Sequence, residues 1–145
     1  IHTASRGEKI TTICINNTNF GMTGGQASAT TLVGQVTKTT PAGRNPEYAG
    51  YPIHAAEMVA KCDGAAFVAR ASICSPASIK KTKEILRKAF EMQIKGIGYS
   101  FVEILAACPT NWGMNAVDSM KHIKDDIEKV HPVGIFKDIT LTEVR

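Results

Sequence analysis

Three short apolar runs alternate with helical patterns along the chain, and this alternation restricts the possible folds more than any other feature. The runs span residues 10–15, 65–71 and 99–105, and each has the length and composition of a strand. The first run contains no Gly or Pro and is predicted to be buried. Because strands that alternate with helices form a mostly parallel sheet, we predict an α/β fold of three layers with helices on both faces.

Capping residues and apolar spacing mark the helices. Ser75 and Pro76 begin a long helix that Gly96 ends. Further helices are predicted over residues 54–61 and 116–130, and residues 1–7 have the pattern of a last helical turn. The apolar residues at helical spacing are Ile79, Leu86, Phe90 and Ile94 in the long helix, and Val117, Met120, Ile123, Ile127 and Val130 in the last one.

Two asparagines, Asn16 and Asn17, follow the first strand and precede a glycine-rich turn at residues 21–26. Ligands of α/β sheets bind at the carboxyl ends of the strands. An amide oxygen is a neutral, hard ligand suited to Mg²⁺, and the backbone N–H groups of a glycine turn suit a phosphate. The segment is therefore a candidate half of a diphosphate–metal site. The alternative is an ordinary loop, since Asn and Gly are common turn residues.

Cys108 occupies the corresponding place after the strand at residues 99–105. A thiolate is a soft ligand suited to iron–sulfur clusters, but one cysteine cannot hold a cluster. The alternative is an inert cysteine before a proline turn. Trp112 and Gly113 give this loop a shape that could cover a ligand. The three other cysteines, Cys14, Cys62 and Cys74, form no CxxC pair and have the pattern of small buried apolar residues.

Composition excludes several classes of protein. The length of 145 residues fits one domain, and the net charge of +4 is scattered along the chain. The basic stretch at residues 80–83 has no interleaved aromatic residues, which indicates a solvated helix face and not a nucleic-acid site. No apolar run reaches the roughly 20 residues that a membrane span needs, and no signal peptide is visible. A disulfide framework is not expected in a chain with so ordinary a core, so the cytoplasm is the default compartment.

Residues 27–50 form a long polar connection rich in Thr, Gly and Pro. Connections of this length without regular structure are often functional lids. Arg44 lies within it, and its guanidinium could pair with a second carboxylate of a substrate. The alternative is a solvent-exposed loop charge.

Residues 14–26, 30–32, 50–52 and 108–113 together resemble the beta subunit of 2-oxoacid:ferredoxin oxidoreductases, which is the thiamine diphosphate-binding subunit. The resemblance covers nearly the whole chain, with several motifs in the family's order. It implies the thiamine diphosphate-binding fold, with residues 1–145 as the C-terminal portion of a single domain. The family's Gly-Asp-Gly motif precedes the double Asn by about one helix. Together with the absent initiator Met, this indicates an N-terminally truncated chain.

The resemblance also assigns the site. It implies that the Asn17 side chain and the Asn19 backbone carbonyl bind Mg²⁺, and that Gly21, Met22 and Thr23 lie against thiamine diphosphate. Cys108 corresponds to one ligand of a four-iron–four-sulfur cluster. The family's other three cluster cysteines lie near its natural N-terminus, and no other cysteine of this chain matches them. The cluster site is therefore expected to be incomplete and the fragment alone inactive.

The implied activity is oxidative decarboxylation of a 2-oxoacid to acyl-CoA and CO2, with electrons passed to ferredoxin. The implied partners are alpha, gamma and delta subunits, ferredoxin, the 2-oxoacid and coenzyme A. The Gly21-Met22 pair resembles the 2-oxoglutarate and 2-oxoisovalerate branches. No catalytic acid or base is assigned, since His54, Glu57 and Glu103 are expected to be structural or exposed. The alternatives are a thiamine-dependent decarboxylase without electron transfer and a non-catalytic assembly fragment.

Overall fold

The computed structural model describes residues 1–141. Its strands are β1 Thr11–Asn16, β2 Asn19–Phe20, β3 Gln26–Ala27, β4 Ala65–Ser72, β5 Tyr99–Leu105 and β6 Gly134–Asp138. Its α-helices are α1 His2–Arg6, α2 Pro46–Ala49, α3 Ala55–Ala60, α4 Pro76–Ile94, α5 Pro109–Trp112, α6 Ala116–His122 and α7 Glu128–Val130. A π-helical segment, Ile123–Ile127, joins α6 to α7, and a 3-10 helix, Ile139–Leu141, follows β6.

The main sheet has the strand order β1-β5-β4-β6. β1 and β4 both pair in parallel with β5, and β6 pairs antiparallel with β4. The two short strands β2 and β3 form a separate antiparallel pair within the glycine-rich segment. The prediction of a mostly parallel sheet is therefore confirmed, with the antiparallel strand at one edge.

Helices pack on both faces of the sheet, as predicted. On one face α4 buries Ile85, Ala89 and Met92 against β4 and β5. On the other face α1 and α3 contribute Ala4 and Val59 to a second apolar cluster. A third cluster at the carboxyl edge joins Leu105 of β5 to the helix that runs from α6 to α7. The third cluster thus packs against the carboxyl end of β5.

The prediction that the first strand is buried is wrong. β1 lies at the edge of the main sheet, where Ile13 is 42% exposed and Ile15 is 60% exposed. Alternate side chains of β1 point to opposite faces, and Cys14 packs into the cluster formed with α1 and α3. An apolar β-branched run fits an edge strand as well as a central one, so the run alone did not reveal the edge position.

The bounds of the long helix agree with the prediction, but its buried face differs. Ser75 caps α4 in a reciprocal bond with Ser78, and Gly96 follows its end with a positive φ of 64°. The buried stripe is Thr82, Ile85, Ala89 and Met92, and Ile94 is 83% exposed. The apolar residues Ile79 and Phe90 lie beside this stripe and stay partly exposed. When a helix carries two apolar stripes, the pattern alone does not show which one is buried.

The predicted last helix is confirmed as a helix with a π-helical middle. Ile123 and Ile127 are fully buried, whereas Val117 at its start is 65% exposed. His131 then ends the helix, with its backbone N–H bonded to the carbonyl of Ile127. Across residues 1–141, no helix has both the length and the apolar character that a membrane crossing needs.

Candidate functional site

The two predicted loops leave the sheet side by side. Asn16 and Leu105 are paired at the carboxyl ends of β1 and β5, and Ala106 donates its backbone N–H to the Asn16 carbonyl at 3.0 Å. Asn17 and Cys108 therefore follow neighbouring strands at the same edge. Parallel neighbours bring their carboxyl ends together, so this placement follows from the topology.

Gly21 lies between the two loops. A Cβ at this position would lie 2.9 Å from the Cys108 Sγ and 3.2 Å from the Asn17 Nδ2. At Gly25, which has a φ of 87°, a Cβ would lie 2.5 Å from the Asn111 Oδ1. Both approaches are closer than real Cβ atoms come, so a side chain at either position would displace the Cys108 or Asn111 side chain, and the positive φ of Gly25 favours glycine there as well. The glycine-rich segment thus packs directly against the Cys108 loop.

The two consecutive asparagines have different surroundings. Asn16 is buried, and both polar atoms of its amide are bonded: Nδ2 donates to the Glu103 carboxylate at 2.6 Å, and Oδ1 accepts from Thr18 N and Thr30 Oγ1. Asn17 is half-buried, and within residues 1–141 its Oδ1 accepts one long bond, from Asn19 N at 3.4 Å. The Asn17 oxygen is therefore the one of the pair that is available to a ligand.

The segment after Asn17 is held in an unusual conformation. Thr18 has a φ of 57°, which L-residues with a side chain rarely adopt. Its hydroxyl accepts a bond from the Gln35 side chain at 2.9 Å, and its carbonyl accepts one from the Thr31 hydroxyl at 2.5 Å. Asn19 is buried, and its Oδ1 has no hydrogen-bond partner within residues 1–141. An unpaired buried oxygen costs about 1–3 kcal/mol, which favours a ligand that would satisfy it.

The tip of the turn faces solvent. Met22 is 99% exposed. Thr23 is also exposed, and its hydroxyl and carbonyl both bond to the side chain of Gln26. These two predicted cofactor residues are thus presented at the surface, beside the packed part of the turn formed by Gly21 and Gly25.

A buried ion network lies behind Asn16. Arg70 and Glu103, both fully buried, are joined by an Nε–Oε2 bond of 2.8 Å. Arg70 also binds both carboxylate oxygens of Glu57, at 2.9 and 2.5 Å, and its Nη1 donates to the carbonyl of Pro132. The network therefore links α3, β4, β5 and the asparagine loop in one chain of bonds.

Arg70 favours the charged form of Glu57. Burial alone would raise the pKa of Glu57, but the hydrogen bonds and charge of Arg70 lower it overall. A carboxyl with a lowered pKa stabilises the fold above its ordinary pKa of 4.5, and that contribution is lost as the pH falls. The expectation that Glu57 and Glu103 are structural agrees with these bonds. His54 is an exposed residue at the start of α3.

His131, at the end of the helix that runs from α6 to α7, contacts the segment that bonds to Asn16. It is fully buried, its Nε2 lies 3.2 Å from the carbonyl of Thr30, and its Nδ1 has no partner within residues 1–141. Burial lowers the pKa of His131, so the ring is neutral at physiological pH. Because the Thr30 hydroxyl bonds to Asn16, this histidine supports the asparagine loop from behind.

Arg44 has neither of the two roles that its sequence position suggested. It is 6% exposed, so it is not a solvent-exposed loop charge. Its guanidinium donates to six backbone carbonyls, those of Ser28, Ala29, Thr31, Ala49, Gly50 and Tyr51. All of its N–H donors are used, so none is left for a substrate carboxylate. Arg44 instead ties the long connection together, which gives residues 27–50 a fixed shape.

The Cys108 loop also differs in detail from the prediction. The Trp112 ring packs into the third apolar cluster and meets His122 edge to face at 4.9 Å, so it stabilises the helix side of the loop. All four cysteines are free thiols. Burial and the nearby Glu103 raise the pKa of Cys14, which keeps that thiol protonated. Within residues 1–141, no cluster of three or more His, Cys, Asp or Glu side chains could hold a metal ion.

Sequence reasoning missed Asn111. Its Nδ2 donates to the Gly21 carbonyl at 3.0 Å and to the Cys108 Sγ at 3.2 Å. This side chain therefore bridges the glycine turn and the cysteine loop across 90 positions of sequence. Nothing in the local pattern of residues 108–113 distinguishes it from an ordinary turn asparagine. Sequence reasoning also missed Arg70, a charged residue inside a largely apolar strand. Its partner Glu103 lies directly opposite on β5.

Comparison with known families defines the class of protein. Residues 1–104 match the family described as thiamine pyrophosphate enzyme, C-terminal TPP binding domain. The chain therefore belongs to the thiamine pyrophosphate enzymes.

Individual relatives show which thiamine pyrophosphate enzymes the chain resembles. The chain is 45% identical over 138 residues to ketoisovalerate oxidoreductase subunit VorA of Methanothermobacter marburgensis, which covers 95% of this chain and 29% of that protein. It is 34% identical over 153 residues to 2-oxoglutarate synthase subunit KorB of Archaeoglobus fulgidus, which covers 99% of this chain and 53% of that protein. The predicted resemblance to 2-oxoacid oxidoreductase subunits is confirmed. The chain spans about half or less of the length of these relatives.

A solved structure has the same fold. The 2-oxoglutarate:ferredoxin oxidoreductase from Magnetococcus marinus, determined with 2-oxoglutarate, coenzyme A and succinyl-CoA bound, matches with a TM-score of 0.68. The match covers 99% of this chain and 54% of that one, at 23% identity. The likeness confirms the predicted fold class of a mostly parallel sheet with helices on both faces.

Proposed function

We propose that this chain forms part of the thiamine diphosphate-binding subunit of a 2-oxoacid:ferredoxin oxidoreductase that acts on 2-oxoisovalerate. The observation that carries the proposal is the position of Gly21, between the Asn17 amide and the Cys108 sulfur. A cofactor-binding turn and a cluster ligand that touch each other suit an enzyme that passes electrons from one centre to the next. In a thiamine-dependent decarboxylase without electron transfer, Cys108 would be an inert cysteine before a proline turn.

The residues present fit a magnesium–diphosphate group. The Asn17 side chain and the Asn19 backbone carbonyl would bind Mg²⁺ as neutral oxygen ligands, and the unpaired buried oxygen of Asn19 supports an acceptor-rich pocket. Gly21, Met22 and Thr23 would lie against thiamine diphosphate. Glycine at positions 21 and 25 keeps the backbone free of side chains, as close approach to a phosphate requires.

Cys108 would be one ligand of a four-iron–four-sulfur cluster whose other ligands come from outside residues 1–145. When bound, thiamine diphosphate supplies the electron sink that decarboxylation of a 2-oxoacid requires. Residues of this chain would hold the cofactor at the glycine turn and one corner of the cluster at Cys108. The buried network of Arg70 and Glu103 holds Asn16, the residue before Asn17, through its Nδ2. No residue of this chain is assigned as catalytic acid or base.

The relatives support the choice of substrate. Identity is 45% to the ketoisovalerate subunit, 34% to a 2-oxoglutarate subunit and 30% to the pyruvate synthase subunit PorB of Methanosarcina barkeri. Arg44, which sequence reasoning offered as a partner for the second carboxylate of 2-oxoglutarate, has its donors on backbone carbonyls. A branched apolar substrate needs no such cation.

One observation favours 2-oxoglutarate as a second candidate. The Lys38 ammonium lies beside the glycine turn, 3.5 Å from where a Cβ on Gly24 would be. It could pair with a distal carboxylate at the exposed side of the turn. We further propose alpha, gamma and delta subunits, ferredoxin and coenzyme A as partners, and the cytoplasm as the compartment. The assignment of residues 1–145 to the C-terminal portion of a single domain stays a prediction.

The test is a substrate comparison with the enzyme complex that contains this chain. Ferredoxin reduction is measured with 2-oxoisovalerate, 2-oxoglutarate and pyruvate in the presence of coenzyme A. We expect the highest kcat/KM for 2-oxoisovalerate, and a Lys38→Ala variant with an unchanged preference. If Lys38→Ala selectively raises KM for 2-oxoglutarate, the second candidate is correct. Release of CO2 without ferredoxin reduction would support the decarboxylase alternative.

A further inference from the structure

Asn111 makes the direct polar link between the glycine turn and the cysteine loop. Its Nδ2 has two acceptors within hydrogen-bond distance, the Gly21 carbonyl at 3.0 Å and the Cys108 Sγ at 3.2 Å. Its Oδ1 lies against Gly25, where a Cβ would come within 2.5 Å. The side chain is therefore fixed at three points, and each point belongs to one of the two predicted cofactor loops.

The backbone around Asn111 holds it in place. It lies in the single turn of α5, which begins at Pro109. Trp112 donates its backbone N–H to the Cys108 carbonyl at 3.0 Å, and the Trp112 ring is anchored in the third apolar cluster. Gly113 ends the turn in the left-handed conformation, with a φ of 64°. Asn111 thus projects from a rigid turn and not from a loose loop.

We propose that Asn111 is a positioning residue that couples the thiamine diphosphate turn to the iron–sulfur cluster. This inference rests on the proposed function. The bond to the Gly21 carbonyl fixes the turn that lies against the cofactor. The N–H···S bond withdraws electron density from the Cys108 sulfur, and hydrogen bonds to cluster sulfurs raise the reduction potential. The Asn111 amide therefore fixes the turn that lies against thiamine diphosphate, the electron donor. It also sets the reduction potential of the cluster, the electron acceptor.

The absence of a side chain at Gly21 and Gly25 supports a role for the Asn111 side chain. Asn111 Oδ1 fills the space that a Cβ at Gly25 would take, and its Nδ2 lies 3.4 Å from where a Cβ at Gly21 would be. The turn and the asparagine are complementary in shape, so displacement of either one moves the other. An asparagine that only completed its own turn would not need contacts with residues 21 and 25.

The test uses the enzyme complex with Asn111→Leu, which keeps a similar volume without N–H donors, and Asn111→Ala, which removes the side chain. Thr110→Ala, an exposed neighbour on the same helical turn, is the matched control. Two readouts are measured besides activity: the midpoint potential of the cluster by redox titration with electron paramagnetic resonance, and the Kd for thiamine diphosphate with Mg²⁺.

Both Asn111 variants are expected to shift the midpoint potential to more negative values. Loss of one hydrogen bond corresponds to about a tenfold change in the equilibrium constant for one-electron reduction, or about 59 mV. The Kd for thiamine diphosphate is expected to rise by a similar factor, roughly tenfold. The Thr110→Ala control is expected to match the wild type in both. If a variant loses its iron, a weakened Kd still supports the coupling, and an unchanged Kd overturns it.

Wild-type potential in both Asn111 variants would overturn the inference, as would an equal shift in the Thr110→Ala control. Failure of the proposed function has a different signature, because the wild-type complex would then bind no thiamine diphosphate or contain no cluster. A loaded wild-type enzyme with insensitive Asn111 variants contradicts only the role of Asn111.

Discussion

Replacement of Cys108 by Ala in the enzyme complex is expected to remove a four-iron cluster and abolish ferredoxin reduction, while thiamine diphosphate still binds. A four-iron–four-sulfur cluster needs four thiolate ligands, so loss of one should cost about four iron atoms per copy of this subunit. The Asn17 amide and the glycine turn do not depend on the cysteine for their backbone conformation, because Gly25 N bonds to the Phe20 carbonyl at 2.9 Å. Iron analysis and calorimetric titration with the cofactor measure the two effects separately.

Cys62→Ala is the matched control for this prediction. Cys62 is half-buried at the end of α3, and it packs with the cluster formed by α1 and α3, away from the glycine turn. We expect full iron content and full activity in this variant. Unchanged iron in Cys108→Ala would remove the electron-transfer function and leave a thiamine-dependent enzyme of another kind.

Glu103→Leu is expected to lower the free energy of unfolding by about 3–5 kcal/mol, because it leaves the Arg70 guanidinium buried with half of its charge compensation removed. The same change removes the acceptor of the Asn16 amide. Urea denaturation of the chain, followed by circular dichroism, measures the loss. We also expect weaker cofactor binding in the complex, since Asn16 holds the start of the asparagine loop.

Two further variants separate the stability cost of the unpaired, buried Arg70 charge from other effects of substitution. In Glu103→Leu combined with Arg70→Leu, the unpaired cation is gone, so part of the lost stability should return, although Asn16 Nδ2 and the Glu57 carboxylate still lack these partners. Arg6→Ala removes an exposed pair with Glu8 and should cost less than about 1 kcal/mol. A Glu103→Leu variant as stable as the wild type would show that the network does not hold the carboxyl edge together.

Much of the fold is predictable from local patterns. The bounds of β5 and the start of α4 at Pro76 follow from apolar runs and a Ser–Pro cap, which are local signals. The alternation of strands and helices then predicts a parallel sheet, and that places Asn17 and Cys108 at one edge. The position of β1 at the edge was not predictable, because strand order depends on packing between distant segments.

Sequence patterns point to the candidate site where a motif is contiguous and miss residues whose contacts come from distant segments. Asn17 and Gly21 belong to one short segment, and their assignment to a cofactor site stays a prediction from the resemblance. Asn111 makes its bond to Gly21 only when the cysteine loop packs against the glycine turn, 90 positions away. Arg44 was misjudged for the same reason, since its six carbonyl partners come from two separate parts of the long connection.

The central claim is that the Asn17 amide oxygen helps to hold a magnesium–thiamine diphosphate group at the carboxyl edge of β1. Calorimetric titration of the enzyme complex with thiamine diphosphate, with and without Mg²⁺, tests this most directly. Asn17→Ala is expected to raise the Kd at least about tenfold in Mg²⁺, since even indirect contacts to a metal are worth 10–100-fold. Asn115→Ala, an exposed helix cap, is expected to bind like the wild type. Equal, Mg²⁺-dependent binding by Asn17→Ala and the wild type would contradict the claim.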